Sequence, residues 1–569
     1  MSVQQRIVRR EPGAIEGDWP ATWPLLLQRA HAARGSHSAM QAMPRLADLL
    51  PFNLLSGIDQ ATALLDEAIG RDAHIVVVGD YDCDGATACA VGVRGLRMLG
   101  AKRVSHAVPN RIVHGYGMTP GLVEELVALK PDVLVTVDHG IACHAGIAAA
   151  KALGWQVLVT DHHLPGASLP AADAIVDPNQ HGDTFPSKAL AGVGVMFYVL
   201  LALRAKRAMQ ADLVTLLDLV AVGTVADMVT LDANNRALVG AGLRRLRAGQ
   251  GCPGLRALIE VAGRQETLLT TADIGYAIGP RINAAGRLED MGIGIACLLT
   301  DDPMHAKELA QVLQTINQER RGVQSEMQDM ADLQLVGLDG AEAANAVCLY
   351  DAEWHPGVVG LVASKAKERL HRPAIAFAPS EPGSSMLRGS ARSIPGFHIR
   401  DALARVDARH PGLIPRFGGH AMAAGLSLEH ESLATFRDAI QQVAAEWLTP
   451  DLLTDTLLSD GELAADEFAI ESALALRDGG HWGQGYAEPL FDGEFDVVAW
   501  GIVGERHLKL DLLKDGCRLN AIHFGAWRGI EPAKRLHLAY RLAADDYRGN
   551  GAIQLIVVHA RAVDSGSSG

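Results

Sequence analysis

Three short, β-branched apolar runs in the first third of the chain each deliver a carboxylate at their carboxyl end. They cover residues 74–80, 133–138 and 156–161, and they close on Asp80, Asp138 and Asp161. Runs of this kind read as strands buried on both faces of a parallel sheet. In open α/β sheets, ligands sit in the crevice beyond the carboxyl ends of the strands. The first run continues into Asp82 and Asp84 and the third into His162 and His163, so five carboxylates and two imidazoles collect on one sheet edge. That much charge does not stay ionised without counter-charge. A divalent metal is the simplest counter-charge.

The rest of the chain is organised around this edge. At 569 residues it exceeds one core, and several domains are expected. Residues 20–70 read as helices with a break at Pro51, and strands alternate with helices from about 72 to 180. An α-rich stretch follows to about 300, in which the apolar segment 216–227 again delivers an acid, Asp227. Residues 303–333 hold no Gly or Pro except Pro303 and Gly322, and they predict one long connecting helix. A second α/β segment begins near Ala346 and ends near Trp447. The last 110 residues alternate apolar and polar between turn signals, which predicts a small antiparallel barrel.

Several classes of function are excluded. No apolar run approaches the ~18 residues a membrane span needs, and the N-terminus carries no secretory apolar segment. The seven cysteines are scattered without CxxC spacing. That pattern argues for the cytoplasm and against structural zinc. The net charge of -15 is segregated. Residues 364–420 hold ten Lys/Arg against four acids, whereas residues 451–496 hold twelve acids against Arg477 alone. Local fields, not the total, decide whether a polyanion is held.

Asp80, Asp82 and Asp84 stand at alternate positions where a strand gives way to a loop, and their mutual repulsion calls for a cation. An EF-hand would need a preceding helix and a Glu at the twelfth loop position, where Val91 stands. Imidazole added to carboxylates suits Mn, Fe or Zn better than Mg or Ca. One histidine of His162-His163 can face an ion while the other is left for substrate. Asp138 can bridge two ions, and Asp227 contributes by position, although a helix cap is a rival reading. A pair of divalent ions in such a setting suits in-line hydrolysis of a phosphate ester.

Taken together, these residues resemble the DHH phosphoesterase superfamily, which is named for the tripeptide found here as Asp161-His162-His163. More narrowly, the chain resembles its branch of bacterial single-strand-specific DNA exonucleases. Further motifs carry the likeness: residues 79–85, 109–111 with 115–117, 136–138, 223–227, 279–287, 354–360, 389–393 and 417–420. They occur in the family's order across roughly residues 20–555.

The resemblance implies a DHH parallel-sheet domain plus a smaller α/β DHHA1 domain joined by a long helix, with a C-terminal OB-like β-barrel. The implied segments are helical 1–70, DHH catalytic 71–302, connecting helix 303–333, DHHA1 substrate-binding 334–450 and OB-like nucleic-acid-binding 451–562. It implies that Asp84, Asp138, His162 and Asp227 hold one Mn2+ or Mg2+, and that Asp80, Asp82 and Asp138 hold a second, weaker one. His163 would contact the scissile phosphate, with Asp84 and Asp138 the other catalytic groups. Ser390 and Arg392 would hold a terminal 5′-phosphate. Gly418, Gly419 and His420 would bind the backbone, and Arg111, Arg281 and Arg287 would line a channel. Trp500, Phe524, Trp527, Tyr540 and Tyr547 are available to stack on bases. Two departures stand out: His139 where many relatives carry Asn, and Tyr486-Ala487 in the loop entering the barrel.

The implied activity is metal-dependent 5′→3′ exonucleolytic hydrolysis of single-stranded DNA to mononucleotides, in recombination and repair. The implied partners are single-stranded DNA with a 5′ end, a single-strand-binding protein and a RecQ-type helicase, for a cytoplasmic monomer. The alternative is a DHH phosphodiesterase acting on short oligoribonucleotides or cyclic dinucleotides, and the extra barrel argues against it. Inorganic pyrophosphatase is disfavoured because Val78 stands where its first motif begins with His. A non-catalytic scaffold is disfavoured because every ligand is present.

Overall fold

A computed structural model of the chain describes residues 5–15, 17–110, 117–336, 345–545 and 551–563. Ile75–Val78 and Val133–Val137 are buried at every residue, and Gln156–Thr160 at all but its first. Strands without a polar face need cover on both sides. They find it inside a five-stranded parallel sheet ordered Val104–Ala107, Ile75–Val78, Val133–Val137, Gln156–Thr160, Ala174–Val176. Strand order reverses between Ile75–Val78 and Val133–Val137. A crevice therefore opens there at the carboxyl edge, the position where doubly wound sheets bind ligands.

The helix Cys83–Met98 leaves the first of these strands and packs against Gly192–Lys206 and Leu217–Ala226. Both of the latter are apolar on nearly every side, as helices inside a core must be. Gly95 permits a close approach, because a Cβ there would stand 2.2 Å from Leu200 Cδ1.

The chain divides into two compact units, Met1–Arg9 with Gln318–Ser459 and Arg10–Asn317 with Asp460–Gly569. The sheet and the C-terminal barrel belong to the same unit. Ile75, Val135, Phe491, Leu538 and Tyr540 lie in one continuous hydrophobic core. The loop ahead of the barrel is fastened to the N-terminal helix Leu25–Ala32 through His31. Its Nδ1 lies 2.7 Å from the Tyr486 hydroxyl and its Nε2 2.8 Å from the Gly479 carbonyl. The Arg236 guanidinium sits 3.8 Å above the Tyr486 ring. The unusual Tyr486 is thus an anchor of that loop.

The barrel is closed, in the order Phe491–Val503, His507–Lys514, Cys517–His523, Ile553–Ala562, Arg535–Ala544. It is not wholly antiparallel as alternation suggested. Cys517–His523 and Ile553–Ala562 pair in parallel, which closes the cylinder without a free edge.

In the other unit, a five-stranded sheet runs Arg416–Gly419, Ala423–Glu429, Met386–Arg392, Ala374–Pro379, Val347–Tyr350. Only its last pair is parallel. Within the stretch read as helical, Arg6–Arg9 instead forms a strand that pairs in parallel with Thr456–Ser459. The connecting helix is Pro303–Val336, 34 residues or about 51 Å at ~1.5 Å per residue.

Candidate active site

Asp82 caps the helix Cys83–Met98 by accepting the Gly85 N–H at 3.0 Å, so the acidic loop is the start of that helix. Two residues on, still within the first turn, Asp84 is buried and accepts the backbone N–H groups of Gly192 (2.6 Å) and Val193 (3.0 Å). These belong to the N-terminus of Gly192–Lys206, whose dipole favours an anion. A second helix braces the loop from outside. Asn283 Oδ1 accepts the Cys83 N–H at 2.8 Å, and a Cβ on Gly286 would stand 1.8 Å from the Tyr81 carbonyl. The motif at 279–287 thus includes two residues that hold the acidic loop in place.

Asp138 follows its strand with φ +64°, a left-handed conformation that few residues other than glycine adopt. Its backbone N–H donates to the Thr160 carbonyl at 3.1 Å. This turn brings its side chain to the loop of the third strand. His162 Nε2 stands 3.0 Å from Asp138 Oδ1, 3.7 Å from Asp227 Oδ2 and 4.0 Å from Asp84 Oδ2. A second group combines Asp80, Asp82 and Asp138, with ligand atoms all within 4.8 Å of one another. Asp138 belongs to both groups.

These residues fit a divalent ion. An octahedral ion with ~2.1 Å bonds sets neighbouring ligands about 3.0 Å apart and opposite ones about 4.2 Å apart; the separations around His162 fall in that range. Asp138 Oδ1 is buried and receives no hydrogen bond from the described residues, as suits an atom kept for a cation. Carboxylates with one imidazole suit Mn2+ and accept Mg2+. Without the ion the carboxylates resist ionisation. Burial and the neighbouring Asp227 and Asp82 charges raise the pKa of Asp84. Burial and the Asp84 charge do the same to Asp138, and burial with Asp82 pushes Asp227 up to about 7.

Asp161, the first residue of the tripeptide, is turned away from these clusters. Its Oδ1 accepts the N–H groups of His162 (2.7 Å) and His163 (3.1 Å) and meets His163 Nδ1 at 2.7 Å, while its Oδ2 accepts the Ile141 N–H at 2.9 Å. Burial opposes its ionisation, but these bonds and the two imidazoles prevail and hold its pKa well below the usual range. For His163, burial lowers the pKa; the bond to Asp161 and the Asp161, Asp227 and Asp80 charges outweigh it and raise the pKa to about 9. Asp161 therefore favours the imidazolium form of His163 beside a pocket for cations. His139 is buried and neutral, its pKa driven down to about 4 chiefly by burial.

Two residues were not singled out from sequence. Asp177 follows the edge strand Ala174–Val176 and is buried, and Asn179 Nδ2 donates to the His162 carbonyl at 2.6 Å. The signal was present, since a fourth apolar run ends in an acid, but that run is only three residues long.

Arg281 and Arg287 lie half-buried on the helix Gly279–Leu288, where Arg281 Nη1 donates to the Ala277 carbonyl. Arg111 lies outside the described residues. In the other unit, Ser390 pairs with Gly425, which pairs with Gly418, so these three lie side by side across three strands. Arg392 Nη1 donates to Ser390 Oγ at 2.8 Å. A Cβ on Gly360 would stand 2.9 Å from Arg392 Nη2 and 3.0 Å from Ser390 Oγ, which sets this pair against the first turn of the helix Val359–Leu370. Gly418, Gly419 and His420 are exposed at the sheet edge. On the barrel, Trp500 and Trp527 stack with centroids 5.4 Å apart, and Phe524 is exposed. Tyr540 is instead a core residue, and Tyr547 lies outside the described residues.

The sequence matches the DHH family, N-terminal domain over residues 74–224, the DHHA1 domain over 343–446 and the RecJ OB domain over 459–559. It is 46% identical to the single-stranded-DNA-specific exonuclease RecJ of Salmonella typhimurium, over 97% of this chain and 99% of that one. The crystal structure of RecJ in complex with Mn2+ from Thermus thermophilus superposes with a TM-score of 0.79 at 32% identity. That match covers 95% of this chain and 76% of the other. The Mg2+ complex of RecJ from the same organism gives 0.74 at 29% identity, covering 95% and 75%.

Proposed function

The chain belongs to the RecJ family of single-stranded-DNA-specific exonucleases, and on that premise we propose how its residues divide the work of hydrolysing a phosphodiester. Asp84, Asp138, His162 and Asp227 would hold one Mn2+ or Mg2+, and Asp80, Asp82 and Asp138 a second. The observation that carries this reading is the approach of His162 Nε2 to three carboxylates from three separate elements, at 3.0, 3.7 and 4.0 Å. When bound, such ions activate water and neutralise charge on the transferring phosphoryl group.

The protein's own contribution is placement and charge. Asp161 fixes the His163 ring through Nδ1 and keeps it protonated, so that a phosphate oxygen would be met by a cationic Nε2–H. The strained turn at Asp138 and the two N–H groups on Asp84 set ligand positions before any ion arrives, which lowers reorganisation during the reaction. Ser390 and Arg392, with Gly418, Gly419 and His420, would hold phosphates of the strand. A guanidinium paired to a hydroxyl beside a helix start suits a 5′-terminal phosphate. Arg111, Arg281 and Arg287 would track the backbone. Trp500, Trp527 and Phe524 would stack on bases of a long single strand.

We further propose 5′→3′ polarity with mononucleotide products, in DNA recombination and repair. The protein would work as a cytoplasmic monomer beside a single-strand-binding protein and a RecQ-type helicase. No helix among the described residues is long and apolar enough to cross a membrane. The domain division that fits this work is N-terminal 1–70, catalytic 71–302, connecting 303–333, substrate-binding 334–450 and nucleic-acid-binding 451–562.

The test is hydrolysis, in Mn2+, of single-stranded DNA, duplex DNA and RNA labelled at either end. Early release of the 5′ label as a mononucleotide from single-stranded DNA alone is expected. Cleavage confined to RNA or to di- to tetranucleotides would refute it.

A further inference from the structure

The loop of residues 177–188 lies behind the Asp161-His162-His163 turn and touches it through an asparagine. Asn179 Nδ2 donates to the His162 carbonyl at 2.6 Å and to the Lys188 carbonyl at 3.2 Å. Asn179 is in turn set by Asp177, whose Oδ1 accepts the Asn179 N–H at 2.7 Å. Asp177 itself is held firmly. It is fully buried at the end of Ala174–Val176, and the preceding Val176 carbonyl accepts the Asp161 N–H at 3.1 Å. Lys188 ties the far side of the loop, with Nζ donating to the Pro178 carbonyl and lying 3.0 Å from Asp183 Oδ1.

The consequence falls on the histidine ring. The N–H of His162 is held by Asp161 at 2.7 Å and its carbonyl by Asn179 at 2.6 Å, so the backbone on both sides of its Cα is pinned. Only the side-chain torsions remain to bring Nε2 to Asp138, Asp227 and Asp84. Groups that orient a metal-binding histidine typically hold its second ring nitrogen; the hold from Asn179 is on the main chain, further back along the residue.

We propose that Asn179, seated on Asp177, is a positioning residue for His162 that pre-forms the metal site. This rests on the reading of His162 as a metal ligand. Asp177 serves Asn179 as an acceptor, through Oδ1. Burial, then the Asp161 charge, raises its pKa to about 8, and its Oδ2 has no hydrogen-bond partner among the described residues. An amide at position 177 supplies the same acceptor.

The experiment is calorimetric titration of the metal-stripped full chain with Mn2+ for Asn179→Ala, Asn179→Asp, Asp177→Asn and His162→Ala. Asn179→Asp keeps size and shape while losing the donor, so it serves should Asn179→Ala fold poorly. Both Asn179 variants are expected to bind Mn2+ about 10-fold or more weakly. Their metal-free Tm falls by only a few degrees, their KM for DNA stays unchanged, and kcat recovers at saturating Mn2+, a split that a merely structural role would not give. Asp177→Asn is expected to bind Mn2+ as the parent does. Parental affinity in both Asn179 variants, with binding lost in His162→Ala, overturns the positioning role alone. Parental affinity in His162→Ala overturns the ligand assignment and the proposal with it.

Discussion

His162 Nε2 stands 3.0 Å from Asp138 Oδ1, although the two residues end different strands and are 24 positions apart in the chain. Asp138 reaches this point through a left-handed backbone, and His162 through a loop pinned by Asp161. Neither residue can drift far without strain in a packed neighbour. The proposed metal site is therefore built directly on the sheet edge that carries it.

Removing a ligand should cost more than removing its support. Asp84→Ala or His162→Ala is expected to lower kcat by more than the ~100-fold that outer-sphere losses reach. Circular dichroism should show the fold retained. Assay of a 5′-labelled single strand in Mn2+ checks this, and near-parental turnover by either variant would remove that residue from the site.

Metal and pH should be linked in a defined direction. The metal-free folded protein holds Asp84, Asp138 and Asp227 at raised pKa, about 7 for Asp227, whereas the unfolded chain titrates near ~3.9. The folded state thus binds more protons in that window, so these groups make metal-free stability fall as pH rises from about 4 through about 7. Mn2+ replaces those protons. The rise in Tm on adding Mn2+ should be larger at pH 8 than at pH 6 in a scanning calorimeter; an equal rise would mean that the ion binds elsewhere.

His163 is a cation whose charge the fold protects. Its pKa is raised to about 9, so its ion pair with Asp161 contributes stability below the unfolded value of ~6.5 and is lost as pH passes about 9. Activity should decline on the alkaline side of that value. His163→Gln should remove this limb from the pH–kcat profile while Mn2+ still binds.

Gly192 has no room for a side chain. A Cβ there would stand 2.5 Å from Asp138 Cβ and 2.7 Å from its Cα. Gly192→Ala is expected to cost ~1–3 kcal/mol by overpacking and to displace a carboxylate shared by both ion groups. Mn2+ affinity should fall about 10-fold or more, with only a few degrees lost in Tm. Calorimetry and thermal unfolding read the two effects separately.

Arg392→Ala should reduce the preference for a 5′-phosphorylated end by roughly 10-fold or more, the loss of one hydrogen bond to a charged group. The ratio of kcat/KM for 5′-phosphate and 5′-hydroxyl strands measures this. An unchanged ratio would take Arg392 out of the end-binding pocket.

Much of this was written in the chain. β-branched runs without a polar face demand a sheet covered on both sides, and a parallel sheet gathers its strand ends on one edge, so Asp80, Asp138 and the 161–163 turn had to meet. A long stretch nearly free of Gly and Pro could only be a helix, and it runs Pro303–Val336. Other features had no local signature. Arg6–Arg9 is a strand only because Thr456–Ser459 offers an edge about 450 residues away, and four residues cannot announce a distant partner. Tyr540 and Trp500 read alike as aromatics in alternating runs, and only barrel closure decided that one fills the core while the other stacks on Trp527 outside it. The split of labour within Asp161-His162-His163 likewise came from tertiary structure. Three adjacent polar residues specify the chemistry available, but which atom faces the cations depends on backbone donors at Ile141, Gly192 and Val193 and on the amide of Asn179. Those contacts exist only once distant segments pack. Sequence determines which groups reach the edge; the packing around them decides where each one points.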